Sequence, residues 1–384
     1  MNLRRVQAVA LKEWRETVRD RMFLLLAFLL PVLWLLVFGY GLVIDVEQIP
    51  VAAVDYDRSE LSRDYLSRFM HSRYFDFRGH LNSEREVDAL LQTAHLRAAV
   101  IIPEHFARRL QEGKTVSVQT LLDGTFPLYT DIAKGYIIAL NNTFSEKLVS
   151  EYLSRTSGLS LEEARRRVQP VRLEVRYLYN EEIRGTWSQV PALVMFALMV
   201  ASPLLTALGI VREKESGSLY NIYSSTVTRV EFLTGKLATY LAIASVNVVV
   251  LWAMAVWLFQ VPFKGNFGLF FLASVLFVMV GTGIGLLVSL LVRTQMAALV
   301  VTMVVSMVPT FLFSGLLVPV SSMSRGAQVQ AHLFPAMYYT NILRGSFLKG
   351  VGLEVLWLDV LALVIFAVAL RLWGYWLFTK RPRA

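Results

Sequence analysis

The chain has 384 residues, a formal net charge of +9 and no cysteine, and 55% of its residues are hydrophobic against 17% charged. That balance, with a mean hydropathy of +0.51, excludes an ordinary soluble globular protein and points to a membrane protein. The missing cysteines exclude disulfides and cysteine-based zinc sites, and the basic residues flank apolar runs rather than forming one patch, so no nucleic-acid partner is expected.

In residues 1–21, Leu3, Val6, Ala10, Trp14 and Thr17 or Val18 recur at helical spacing, opposed by Arg4, Arg5, Lys12, Arg15, Glu16 and Arg19. The pattern predicts an amphipathic helix lying on the cytoplasmic membrane surface. Residues 22–44 are apolar for longer than a signal-peptide core and are followed by no small-residue cleavage site, so they are expected to remain as the first transmembrane helix. Residues 45–186 read as one inserted α/β domain. Within it, strands are expected at 51–54, 75–78, 98–102, 116–122 and 171–179, and helices at 59–70, 83–93, 104–111, 126–155 and 160–168. Ser160 followed by Glu163 fits a capping box.

Further apolar runs cover 190–211, 237–261, 267–292, 295–318 and 355–378, each long enough to cross a hydrocarbon core of ~30 Å at ~1.5 Å per residue. In the last run Asp359 lies about a turn inside one end and Arg371 is placed to snorkel to the other. The expected fold class is therefore membrane α-helical: six transmembrane helices, an N-terminal interfacial helix and an inserted mixed α/β extracytoplasmic domain. Lys and Arg set the orientation. Arg4, Arg5, Lys12, Arg15, Arg19, Arg21, Arg212, Lys214, Arg229, Lys236, Arg293, Lys380, Arg381 and Arg383 fall on one side, against Lys264, Arg325, Arg344 and Lys349 on the other. Both termini, including the tail 379–384, are thus expected in the cytoplasm, with 45–186 outside.

Candidate chemistry is sparse. His71, His80, His95, His105 and His332 show no metal-ligand spacing. Gly113-Lys114-Thr115 has Arg108 where a phosphate loop needs glycine, so no Walker motif is present and no cofactor is expected in this chain. There is no G-x-S-x-G, and no base neighbours a membrane serine such as Ser202 or Ser289. Runs two to five hold no Asp, Glu, Lys, Arg or His. A proton-coupled transporter keeps ionisable groups at mid-membrane, and a channel needs a polar pore, so neither class fits.

Four separated segments carry a family resemblance. They are Lys12-Glu13-Trp14 with Arg19-Asp20-Arg21 and the run holding Pro31 and Phe38 to Gly41; Arg212-Glu213-Lys214-Glu215-Ser216-Gly217-Ser218-Leu219 continuing to Glu231 and Thr234-Gly235-Lys236; Phe313-Ser314-Gly315 with Pro319, Val320 and Met323; and Phe334-Pro335 with Ile342 to Gly350. In this order around six spans the chain resembles the ABC-2 type permeases, membrane subunits of exporters, in the multidrug-type subgroup with a large extracytoplasmic domain. Tyr220, Thr226 and Ser324 depart from common family residues.

The resemblance implies a permease that catalyses nothing itself, with ATP and Mg bound by a separate cytoplasmic ATPase subunit. A second permease copy or paralogue and a possible periplasmic adaptor are the further partners, in a bacterial inner membrane. The turn 212–236 is the expected coupling element. Arg212, Glu213, Lys214, Glu215, Gly217 and Ser218, with Leu219 and Ile222 as apolar anchors, are expected to form a short helix at 213–223 whose charged side chains face water and a docking partner. On the opposite face, 319–350 with Pro319, Pro335, Arg344 and Gly345 is expected as short re-entrant helices. Ser202, Thr206, Ser306 and Thr310 are candidates for a substrate path. The spans offer apolar surface and no fixed charge, so a lipophilic or amphiphilic substrate, drug-like or lipid, is expected. The alternative is a mechanotransmitting or sensory protein driven by a partner ATPase without translocation.

Overall fold

The structure is a computed structural model describing residues 2–41, 48–125, 127–158, 160–168, 178–181, 184–218 and 226–378. Its contacts divide the chain into a helical unit, 1–44 with 176–384, and an inserted unit, 45–175.

The inserted unit is built on a sheet of order β2-β1-β3-β4, from β1 (Ile49–Asp55), β2 (Phe75–Leu81), β3 (Ala98–Ile102) and β4 (Gln119–Leu122). β1 pairs in parallel with β2 and β3, and β4 closes one edge antiparallel to β3. β3 is buried along its whole length and β1 nearly so, as near-continuous apolar runs in the middle of a parallel sheet should be. The helix Glu60–Met70 starts where Ser59 Oγ accepts a hydrogen bond from the Ser62 amide, 3.0 Å. Its Tyr65 packs edgewise on Phe144 at 4.9 Å between centroids and lies tilted against Phe69 at 5.7 Å. Phe144 belongs to the long helix Pro127–Ser157. Beyond β4, amide and hydroxyl hydrogen bonds from Thr125, then the paired Arg97 guanidinium, hold the Asp123 carboxyl down at about 2. Strands and helices stand close to their expected places, and the Ser160–Glu163 capping box forms. The last strand is shorter than expected, because 116–118 lie outside the ladder. The strand expected at 171–179 falls outside the described residues except for 178–179, which are not strand.

The helical unit contains α1 (Leu3–Arg19), α2 (Arg21–Gly41), α8 (Gly185–Glu215), α9 (Arg229–Leu258), α10 (Phe267–Leu291), α11 (Gln295–Phe313) and α14 (Leu353–Leu377). The intervening labels α3 to α7 belong to the inserted unit: Glu60–Met70, Glu84–Gln92, Phe106–Gln111, Pro127–Ser157 and Leu161–Val168. Between α11 and α14 lie a turn at Val320–Ser322, α12 (Arg325–His332), α13 (Pro335–Arg344) and a π-turn at Gly345–Lys349. Among the described residues, α2, α8, α9, α10, α11 and α14 are long and apolar enough to cross a membrane.

α8 is the central post, buried at every position from Val190 to Val211. Glycines make its closest contacts possible. A Cβ on Gly281 of α10 would stand 2.0 Å from Ser202 Oγ, and one on Gly285 would stand 2.3 Å from the Pro203 carbonyl oxygen. Spaced four apart, these glycines let the two backbones touch, as small residues do between membrane helices. α13 closes the far end, where Tyr339 stacks on Phe277 at 4.0 Å and its hydroxyl donates to Ser274 Oγ, 2.7 Å.

Several boundaries differ from expectation: α8 begins at Gly185 rather than 190, α9 ends at Leu258 rather than 261, and α11 ends at Phe313 rather than 318, just before Gly315 adopts φ +80°. α9 begins at Arg229 rather than 237, because Thr228 and Glu231 form a capping box two turns upstream. The charges of those two turns conceal the helix from an apolar-run criterion. Residues 212–215 form the last turn of α8, which Ser216 caps before Gly217 adopts φ +73°, and residues 219–223 of the short helix expected at 213–223 lie outside the described residues.

Candidate functional site: the junction of α1, α8 and α9

Two of the four quoted segments meet at one end of the helical unit. α1 lies across the start of α9 so closely that a Cβ on Gly235 would stand 2.8 Å from the Val6 carbonyl oxygen. Its N-terminus is fixed there by the Asn2 amide donating to Glu231 Oε1, 2.7 Å, and by Arg5 Nη1 donating to the Thr226 carbonyl, 2.7 Å. At its other end Asp20 caps α2, accepting from the Met22 and Phe23 amides, and pairs with Arg212 at 2.5 Å. Arg212 also lies over the Phe23 ring, 5.7 Å from its centroid.

Between these anchors sits a buried ionic cluster. Lys236, 0% exposed in its side chain, places Nζ 2.7 Å from Glu13 Oε2 and 3.0 Å from Glu213 Oε2. The first is an aligned hydrogen bond and the second an ion contact only. Glu213 Oε1 accepts from Lys12 Nζ, 2.7 Å, which also reaches Glu16 at 3.2 Å. The Tyr240 hydroxyl donates to Glu13 Oε1. Gly209 of α8 leaves the space that ring occupies, since a Cβ there would stand 1.6 Å from Tyr240 Oη. Burial disfavours the charge on Lys12, but hydrogen bonding and Coulomb attraction from Glu213, with Glu16, outweigh it and raise its pKa above the ordinary lysine value. Glu13, Glu16 and Glu213 are close enough to share a cation, and the ammonium groups of Lys12 and Lys236 already supply that countercharge.

A buried charge is tolerated only when paired, so each member holds the others in register. α1 is therefore welded to α8 and α9 by its polar face, with Glu13 and Thr17 buried, while Leu3, Trp14 and Val18 stay exposed. The apolar stripe expected to lie on the membrane is thus divided, because Val6 and Ala10 turn toward the bundle.

The expectation that the charges at 212–215 face water holds for Glu215, which accepts from Gln295 Nε2 at 2.7 Å on the surface. Glu213 is instead buried, and Lys214 donates to the Ser289 carbonyl. Gly217 and Ser218 follow the helix end, whereas Leu219 and Ile222 lie outside the described residues. Glu13, Asp20 and Lys236 stand within quoted segments without having been singled out, and Tyr240 was not quoted at all. The available signal was Lys236, a charge followed directly by an apolar membrane run.

The other expected residues lie elsewhere. Pro319 precedes the turn Val320–Ser322, Pro335 opens α13, and Arg344 and Gly345 mark its end. The expectation of short helices across 319–350 is met in form. Ser202 and Thr206 are buried against α10 and donate to the Leu198 and Ser202 carbonyls of their own helix. Ser306 and Thr310 are buried on α11. The structure does not bring these four hydroxyls into the ionic junction.

This architecture, a helical membrane bundle around a buried post with a preceding helix locked onto it by buried charge, defines a polytopic membrane protein with an inserted α/β unit. The chain belongs to the ABC-2 family transporter proteins, whose family model matches residues 21–376. It is similar over nearly its whole length to two proteins of Escherichia coli K12. The probable multidrug ABC transporter permease YbhS is 28% identical, with 99% of this chain and 98% of that protein aligned. The probable multidrug ABC transporter permease YbhR is 26% identical, covering 96% and 97%. The ABC transporter G family member 20 of Dictyostelium discoideum is 24% identical over 94% of this chain and 49% of that longer protein.

Proposed function

We propose that the chain is the permease subunit of an ATP-driven exporter in a bacterial inner membrane. Two permease copies, identical or paralogous, enclose the path, and a separate ATPase subunit that binds ATP and Mg docks on the cytoplasmic segment after α8. The substrate is lipophilic or amphiphilic and leaves the cytoplasm or inner leaflet. The inserted unit stands outside the membrane, where a periplasmic adaptor is a further candidate partner.

The observation that carries this reading is the ionic junction. A displacement of the segment after Ser216 is passed at once to α8, α9 and α1, because Glu213, Lys236 and Glu13 form one paired group. The apolar runs 190–211, 237–261, 267–292 and 295–318 hold no Asp, Glu, Lys, Arg or His, which supports work entering at the junction end. The test is reconstitution of the purified chain, with and without its ATPase subunit, in vesicles loaded with a fluorescent cationic or neutral amphiphile. The chain alone should hydrolyse no ATP, and the pair should hydrolyse it and move the dye. Saturable hydrolysis by the chain alone would overturn the division of labour. Coupled hydrolysis without movement of any amphiphile would favour a mechanotransmitter.

A further inference from the structure

At the end of the bundle opposite the ionic junction, Arg344 closes α13. Arg212 and Arg97, also partly buried, have carboxylates in Asp20 and Asp123, whereas Arg68 and Arg371 share with Arg344 a buried Nε that has no hydrogen-bond partner. Arg344 has no carboxylate partner among the described residues. Its Nη2 donates to the Gly315 carbonyl oxygen, 2.8 Å, and its Nε is buried without a partner. The acid at this end of α14, Asp359, accepts instead from Asn341 Nδ2, 3.1 Å. Gly315 holds φ +80°, a conformation that favours glycine, and its carbonyl reaches the guanidinium.

A guanidinium has five donors in a planar fork and keeps its charge under all ordinary conditions. Removing it from water with one carbonyl acceptor leaves both charge and donors uncompensated. If its role were only to finish a helix, Arg344 could lie in solvent as the exposed Arg325 of α12 does. Its neighbours along the chain, Leu343 and Gly345, and those of Gly315, Ser314 and Leu316, are buried and carry no charge. A planar fork with one Nη bonded to a carbonyl and its Nε unpartnered matches an oxyanion, and phosphate is a bidentate partner for it.

We propose that Arg344, presented by Gly315, is an anion site for the phosphate of a lipid-type headgroup at this end of the bundle. The inference stands apart from the export reading, because a bound headgroup needs neither ATP nor translocation. It rests on the buried unpartnered Nε and the absent acid, and it does not depend on which side of the membrane this end faces.

The test is native mass spectrometry of the full chain released from nanodiscs of mixed phosphatidylglycerol and phosphatidylcholine with matched acyl chains. The wild type should retain the anionic lipid preferentially, and equal retention of both lipids would overturn the proposal whatever any variant does. Arg344→Gln should reduce the retained anionic lipid about tenfold, the scale of one lost charge-assisted contact, while Arg325→Gln changes nothing. Should Arg344→Gln fail to fold, Arg344→Lys keeps the charge without the fork and should retain the lipid more weakly than wild type. An unchanged preference in either folded variant would overturn the site. A second arm offers inorganic phosphate to lipid-stripped protein in detergent. Arg344-dependent protection against thermal unfolding there, without lipid preference in nanodiscs, would reassign the source to free phosphate and overturn the headgroup assignment.

Discussion

Lys236 shows how much a single buried charge can organise. It contacts two carboxylates from two other helices, and neither can reach water in its place. Lys236→Met removes the cation and leaves Glu13 and Glu213 facing each other, which should destabilise the protein by about 3–5 kcal/mol, the usual cost of breaking a buried pair from one side. Thermal unfolding of the detergent-solubilised protein measures this. The triple variant carrying Glu13→Gln and Glu213→Gln as well should recover much of the loss, because the repulsion goes with the charges. No recovery would mean that packing of the lysine stem, not charge balance, sets the stability. The same geometry predicts that Glu213→Lys disturbs folding as well as coupling, since the new cation would meet Lys236 inside the junction.

At the level of elements, α8 and α9 are held together by a glycine facing a tyrosine. Gly209→Ala should expel the Tyr240 ring and its hydrogen bond to Glu13, at a cost of about 1–3 kcal/mol for overpacking. Adding Tyr240→Leu should restore part of that loss, and the double-variant cycle reads it directly. If the alanine is tolerated without the second change, the two helices are not as close as described. These helices were legible from composition alone, since apolar runs of that length have few other fates, and the sheet followed from short β-branched runs between turn residues. The junction was legible only in pieces. Lys12, Glu13, Glu213 and Lys236 stand in recognisable segments, but hydropathy assigns charges to loops and water, and only the packing of α1 on Gly235 reveals that these four share one buried space. The ends of α8 and α9 were misplaced for the same reason: each continues into a charged turn that an apolar window rejects. Tyr240 left no signal, because one aromatic residue in a membrane helix is ordinary.

For the whole molecule, the unequal basic residues around the spans predict that the inserted unit and the N-terminus lie on opposite sides of the bilayer. Single cysteines in this cysteine-free chain test it: Glu104→Cys, exposed in the inserted unit, should react with a membrane-impermeant maleimide in intact cells, and Arg4→Cys only after permeabilisation. The reverse pattern would invert the topology and with it the placement of the docking segment. The two units also differ in their optical character. Trp14, Trp34, Trp187, Trp252, Trp257, Trp357, Trp373 and Trp376 all belong to the helical unit, and the inserted unit has none. Intrinsic tryptophan emission therefore observes the helical unit alone. Trp14 on the exposed side of α1 and Trp187 at the start of α8 stand near its two ends, so variants keeping only one of them would let quenchers confined to one aqueous phase read each end without any label. The sheet of the inserted unit stays dark in the same measurement, and a tryptophan introduced there would be seen against no background from its own unit.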